Sequence, residues 1–258
     1  MNLEVMLSVM NLKNEDLDKM KITSKCTVIN QCGKEKYEKY KNFDIYSFNE
    51  LGIANSRNRG LERITEDIIL ICDDDVIYDD DYEKNVIEEF KNTPNADMII
   101  FNVSNPYRKK RTIKQNKRLH LYNSLNYASY NIAFKRKSVL DKNIKFNTMF
   151  GPNAKYKSGG DDSLFIADCL KKGLKIYSSK KNIGRICSGD STWFKGYNEK
   201  FFFDKGALYT AISSKFRIVL IIQHLLRHGE ILNEMSFFKA YKLMLKGSND
   251  YLNMKKDG

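Results

Sequence analysis

No apolar run in this sequence approaches the ~20 residues that a membrane-spanning helix needs, and the most apolar window, residues 218–226, is far shorter. Any membrane contact is therefore expected to be peripheral. The N-terminal stretch MNLEVMLSVMNL lacks the basic start, long apolar core and small-residue cleavage site of a secretory signal, which predicts a cytoplasmic protein. No CxxC spacing occurs among the five cysteines, Cys26, Cys32, Cys72, Cys169 and Cys187. Cys72 and Cys169 fall inside apolar runs, where a buried thiol is usual, and the set reads as reduced and structural. Histidine is scarce too: His120, His224 and His228 are the only three. The last two stand one helical turn apart, but no carboxylate or cysteine completes a metal set, so they read as structural or surface residues. Internal repeats and low-complexity tracts are absent.

What is present is a chain of 258 residues, 42% hydrophobic and 12% aromatic, enough for one sizeable core with an appendage. Lys and Arg outnumber Asp and Glu by 44 to 32, a net charge of +12 and a pI near 9.3, which favours polyanionic partners: nucleic acid, anionic lipid or pyrophosphates. The runs LEVMLSVM, CTVINQC, FDIYSF and DIILICDDD are β-rich and apolar, with polar or helix-patterned segments between several of them. Such alternation predicts an α/β fold with a mostly parallel sheet flanked by helices. Residues 52–66 suit a short helix, YEKNVIEEFKN another, ADMIIFNV a strand, and DDSLFIADCLKKG a helix stopped by Gly173. Residues 108–118 hold seven Lys or Arg and read as a loop. From about Glu199 the pattern turns helical, which sets a boundary near Asn198.

The segment IILICDDDV is an apolar strand ending in Asp73, Asp74 and Asp75. Carboxylates this close raise one another's pKa, and a cation is the simplest compensation. Open parallel sheets bind ligands beyond the carboxyl ends of their strands, and oxygen-only ligands suit Mg²⁺ or Mn²⁺ shared with substrate phosphates. A solvated turn is the plainer alternative. A second pair, Asp161 and Asp162, follows Gly159 and Gly160 and opens a helix. Helix capping explains one acid, while a carboxylate there could also take a proton from an attacking hydroxyl. The only Trp, Trp193, in GDSTW, is either a core residue or part of a site.

GIANSRNRGL, the aspartate triplet and the later acidic pair, in that order, resemble the family-2 inverting glycosyltransferases of the GT-A fold, of the capsular or surface polysaccharide type. The resemblance spans roughly residues 4–193. It implies a Rossmann-like GT-A catalytic domain over residues 1–198, with a nucleotide-sugar half at about 1–105 and an acceptor half at about 106–198, and a helical C-terminal extension at 199–258. Asp73 and Asp75 match the DxD pair, implying donor contact for the first and metal ligation, Mn²⁺ or Mg²⁺, by both; Asp74 joins the donor-binding set. Arg57 and Asn58 match the RN of the donor-binding helix. Asp162 matches the catalytic base, and Asp161 stands where the family usually has Glu. Trp193 becomes a wall for acceptor or donor. Where the family shows an Asp at the end of the second strand, this chain has Asn30 and Gln31, whose amides can still hydrogen-bond a uracil or ribose edge.

The function implied is inverting transfer, of the hexosyltransferase type, from a nucleoside diphosphate sugar such as a UDP-sugar to a hydroxyl of a glycan acceptor, lipid-linked at the inner membrane face. Two rivals differ in class. A metal-dependent nucleotidyltransferase or phosphatase would release pyrophosphate or inorganic phosphate. A basic nucleic-acid-binding protein would use the charge, but it lacks a recognisable binding motif and carries two acidic clusters, so no nucleic-acid partner is expected. The C-terminal segment mixes apolar stretches with Lys205, Lys215, Arg217, Arg227, Lys239, Lys242 and Lys246, as helices lying on an anionic membrane do. Packing on the catalytic domain or forming a homodimer would use the same faces.

Overall fold

A computed structural model describes residues 1–107, 112–188, 196–227 and 235–255. In chain order the elements are β1 (Leu3–Met10), α1 (Asn14–Lys19), β2 (Lys25–Gln31), β3 (Lys36–Tyr40), β4 (Phe43–Phe48), α2 (Ile53–Leu61), β5 (Ile68–Asp73), β6 (Val76–Tyr78), α3 (Tyr82–Asn92), β7 (Met98–Ser104) and β8 (Lys117–Leu119). There follow β9 (Ile132–Lys135), α4 (Arg136–Leu140), α5 (Asp161–Lys171), β10 (Ile176–Ile186), α6 (Glu199–Ile212), α7 (Arg217–Arg227) and α8 (Phe237–Met254). By internal contacts the chain forms two compact units. One comprises Met1–Phe146 and Phe165–Asp190, the other Asn147–Leu164 and Ser191–Gly258. The division thus differs from a single boundary near Asn198, because residues 147–164 pack with the C-terminal helices.

Among the described residues, ten strands of the first unit form one sheet in the order β3-β4-β2-β1-β5-β9-β7-β10-β6, with β8 on β10. The pairs β4-β2, β2-β1, β1-β5 and β7-β10 are parallel. The antiparallel strand β9 lies between β5 and β7, so the sheet is mixed, with its parallel core at the N-terminal strands. Strand β1 is apolar along nearly its whole length because a central parallel strand is covered on both faces. Side chains alternate across it. Val5 and Leu7 join one apolar layer with Val28, Tyr82 and Phe90, and Met6 joins the other with Leu61, Ile71 and Phe165. The one charge within β1, Glu4, is buried and satisfied: it accepts from Thr27 Oγ1 (2.6 Å) and from the backbone N–H groups of Thr65 (2.7 Å) and Glu66 (3.0 Å).

In the second unit α6, α7 and α8 enclose a small core of Phe201, Phe202, Ile221, Leu225, Ala240 and Met244. Asn198 caps α6 by accepting from Phe201 N, and Ser236 caps α8 by accepting from Lys239 N. Residues 147–164 are tied to these helices. Tyr156 Oη donates to Asp250 on α8 at 2.7 Å, and Ser158 donates both N–H and Oγ–H to Asp204 on α6.

Candidate active site

The apolar β5 is buried near the centre of the sheet, the last strand of the parallel block and neighbour to antiparallel β9, and it ends at Asp73; Asp74 and Asp75 form the turn that leads into β6. Asp73 is held at both oxygens. Arg57 Nη2 donates to its Oδ1 at 2.8 Å and Ser129 Oγ to its Oδ2 at 3.0 Å, while Arg57 Nη2 also reaches Ser129 Oγ at 2.6 Å. The guanidinium is buried and lies 5.4 Å from the centre of the Phe146 ring. Asp74 is exposed, yet the surrounding protein atoms hold its carboxyl above the usual range, first by partial desolvation and then by the charge of Asp73. The carbonyl of Asp75 accepts from Cys187 N at 2.8 Å, which pins the turn.

The amides expected to contact the donor are engaged with the protein itself. Asn30 donates to Ser47 Oγ (3.1 Å) and accepts from Leu12 N (3.1 Å), tying the loop after β1 to β4. Gln31 donates to the carbonyl of Gly52, the residue that precedes α2, at 3.0 Å. Asn58 grips the backbone of Phe146 from both sides, donating to its carbonyl at 2.9 Å and accepting from its N–H at 2.8 Å. Arg57 and Asn58, neighbours on α2, therefore fix two different loops beside the ends of the strands. Ser129, in a short turn before β9, belongs to no pattern that the sequence displays; only its contact with Asp73 reveals it.

Within the second unit, Asp161 and Asp162 occupy the first turn of α5. Asp161 is buried; Asp162 is half-buried and its Oδ1 accepts from Ser163 N at 2.7 Å. Gly160 has φ +108°, and a Cβ there would meet Leu208 at 2.5 Å, so its glycine has a packing cause. Gly159 has φ +74° and open space where its Cβ would be, which leaves room for a close approach. Lys205 on α6 faces this end of α5. Burial pushes its ammonium below the ordinary lysine value, and the charges of Asp162, Asp204 and Asp161 act the other way. Helical periodicity does not reveal that pairing. Trp193 and His228 lie outside the described residues, as do Arg108 and Arg111 of the basic stretch. His224 is structural, 2.9 Å from Tyr209 Oη.

Residues 32–153, just under half of the chain, match the family model described as Glycosyl transferase family 2. The matched span holds Arg57, Asn58 and the aspartate triplet and stops before Asp161. Solved structures extend the likeness over nearly the whole chain. Residues 1–349 of S. aureus TarS, in complex with UDP-GlcNAc, align with a TM-score of 0.68 over 98% of this chain and 81% of that one, at 12% identity. The fold is of the GT-A type. Another GT-A likeness is the mannosyltransferase PcManGT from Pyrobaculum calidifontis in complex with GDP-Man and Mn²⁺, with a TM-score of 0.55 over 98% of this chain and 75% of that one, at 13% identity. No sequence among curated proteins matches the chain.

Among the described residues no group of three or more His, Cys, Asp or Glu side chains is set to hold a metal ion. Asp73 and Asp75 alone do not make a cage. Carboxylates at a strand end are the donor type that Mg²⁺ or Mn²⁺ takes, one or two at a time together with substrate phosphates; here Asp73 also accepts from Arg57 and Ser129.

Proposed function

We propose that the chain is an inverting glycosyltransferase that moves a sugar from a nucleoside diphosphate sugar to a hydroxyl of a bacterial capsule or surface glycan. The observation that carries the reading is the placement of Asp73, Asp74 and Asp75 at the carboxyl end of the parallel core, inside the span that matches the glycosyltransferase model. The likeness to TarS with UDP-GlcNAc, at a higher TM-score than that to the GDP-Man complex, supports a UDP-sugar.

Asp73 and Asp75 would hold Mn²⁺ or Mg²⁺ against the donor diphosphate, and the cation would supply positive charge to the departing oxygen. Arg57 and Ser129 fix the Asp73 carboxylate, so it enters this role already oriented. Asn30 and Gln31 shape the nucleotide side of the pocket through the loops they tie. Asp162 is the base, and it is the more accessible of the acidic pair. It takes the proton of the acceptor hydroxyl as that oxygen bonds to the anomeric carbon; the bond from that carbon to the phosphate oxygen breaks, and the nucleoside diphosphate leaves with the electron pair. Inversion follows from one direct displacement. Trp193 would wall the acceptor or donor, and the acceptor is lipid-linked, at the inner face of the membrane.

Asp162→Asn keeps size and hydrogen bonding but cannot accept a proton at neutral pH. Its turnover should fall roughly a hundredfold or more with donor affinity unchanged, measured by nucleoside diphosphate release and by donor titration. Normal turnover in this variant together with an inactive Asp161→Asn would reverse the two roles.

A further inference from the structure

Helix α7 is apolar on two sides. Ile221 and Leu225 are buried in the core of the second unit, whereas Val219 (62% exposed), Ile222 (37%) and Leu226 (71%) face away from it, as does Phe216 (55%) just before the helix. Leu220 N bonds the Phe216 carbonyl at 3.0 Å, so Phe216 continues the helical path. At 3.6 residues per turn these four side chains fall within an arc of about 120°. They form one stripe. No Asp or Glu occurs from residue 205 through 229, while Lys215 and Arg227 stand at the two ends of the stripe; Arg217 falls on the other side of the helix, where its Nη1 donates to the Ser214 carbonyl at 3.0 Å. Lys215 lies 5.6 Å from the centre of the Phe216 ring, at the edge of the apolar arc. Two other cations of the C-terminal segment are engaged within the protein: Lys239 pairs with Glu199 at 2.6 Å, and Lys205 stands among Asp161, Asp162 and Asp204.

We infer that α7, with Phe216, Val219, Ile222 and Leu226 as its apolar face, is the surface by which the protein lies on an anionic lipid bilayer. An apolar stripe bounded by cations and free of acids complements a layer of acyl chains beneath anionic headgroups. Charge decides between occupants. In a two-fold contact between copies each residue faces its own patch, so the cationic ends would oppose one another with no acid on α7 itself to pair them. The inference refines the proposed membrane setting of the acceptor, and it stands apart from the transfer chemistry, since none of these side chains belongs to the catalytic or donor set.

The experiment is flotation of the full chain with vesicles of phosphatidylglycerol and phosphatidylcholine, and with phosphatidylcholine alone. The wild type should float with the anionic vesicles at low salt, stay down at high salt, and stay down with phosphatidylcholine. The triple variant Val219→Ser, Ile222→Ser, Leu226→Ser should lose flotation while keeping its circular dichroism and its donor hydrolysis in solution. Because loss could follow from misfolding, a second variant tests for gain: Leu226→Trp should show a blue shift in emission on adding anionic vesicles. A wild type that does not float, a triple variant that floats equally, or an unshifted Leu226→Trp overturns the inference. Dimerisation that the triple variant abolishes, without flotation of the wild type, would also overturn it by assigning the stripe to a second copy. Absence of donor hydrolysis in a wild type that floats would count against the enzyme and leave the membrane surface standing.

Discussion

At Asn58 two structural hydrogen bonds meet on one amide, and their loss has a definite sign. The side chain satisfies both the N–H and the carbonyl of Phe146. Asn58→Ala leaves two part-buried backbone groups without this partner, and a cost of about 1–3 kcal/mol is expected, read as a lower denaturant midpoint with an unchanged slope. Donor affinity should fall as well, because Phe146 lies against the guanidinium that orients Asp73. The residue types were legible in the sequence: an apolar strand running into three acids needs a cation or solvent, and Arg57 stands where a donor-binding arginine is expected. Their contacts were not. Whether an amide reaches a uracil edge or a neighbouring loop depends on register across β1, β2 and β4, which no spacing along the chain encodes. Ser129 was illegible for the same reason, being 56 residues from the carboxylate it holds.

Among the elements, those that are long and apolar were read correctly from periodicity, β1, β2, β4, β5, β7 and α5 in particular. Two of the strands that escaped are polar. Strand β3, KYEKY, is exposed along most of its length, and its lysines and glutamate suit a sheet edge. Strand β10 carries lysines and serines within a run of 11 residues, so its pattern is not that of a buried strand. The crossing of α6 and α8 was hidden by a feature that normally counts against a helix. Gly206 and Gly247 sit in helix interiors, where glycine costs helix stability. A Cβ on Gly206 would land on the carbonyl oxygen of Met244, and one on Gly247 on that of Phe203. Nearby, Thr210 Oγ1 donates to Ser248 Oγ at 2.7 Å, both buried. The two backbones touch here. Gly206→Ala and Gly247→Ala should therefore each destabilise the protein by about 1–3 kcal/mol, the usual cost of overpacking, despite alanine's better helix propensity. Thermal denaturation of each single variant checks this, and an unchanged or raised Tm in both would show that the helices do not approach so closely.

At the scale of the whole molecule, net charge and length bounded the partners without choosing one. The α/β class was legible because alternating apolar strands and helical segments leave few other folds, and the GT-A likeness over 98% of the chain agrees with it. The assignment of residues 147–164 to the unit of the C-terminal helices was not legible, since it rests on tertiary contacts such as that of Tyr156 with Asp250. The central claim is that Asp73 and Asp75 serve a cation-assisted departure of a nucleoside diphosphate, and a panel of nucleotide sugars offered to the purified chain with Mn²⁺ tests it most directly. The account predicts slow hydrolysis of one donor with release of its nucleoside diphosphate, abolished by EDTA, restored by Mn²⁺ or Mg²⁺, and absent in a folded Asp75→Ala variant. Release of pyrophosphate or inorganic phosphate, or turnover that survives both EDTA and Asp75→Ala, would contradict it.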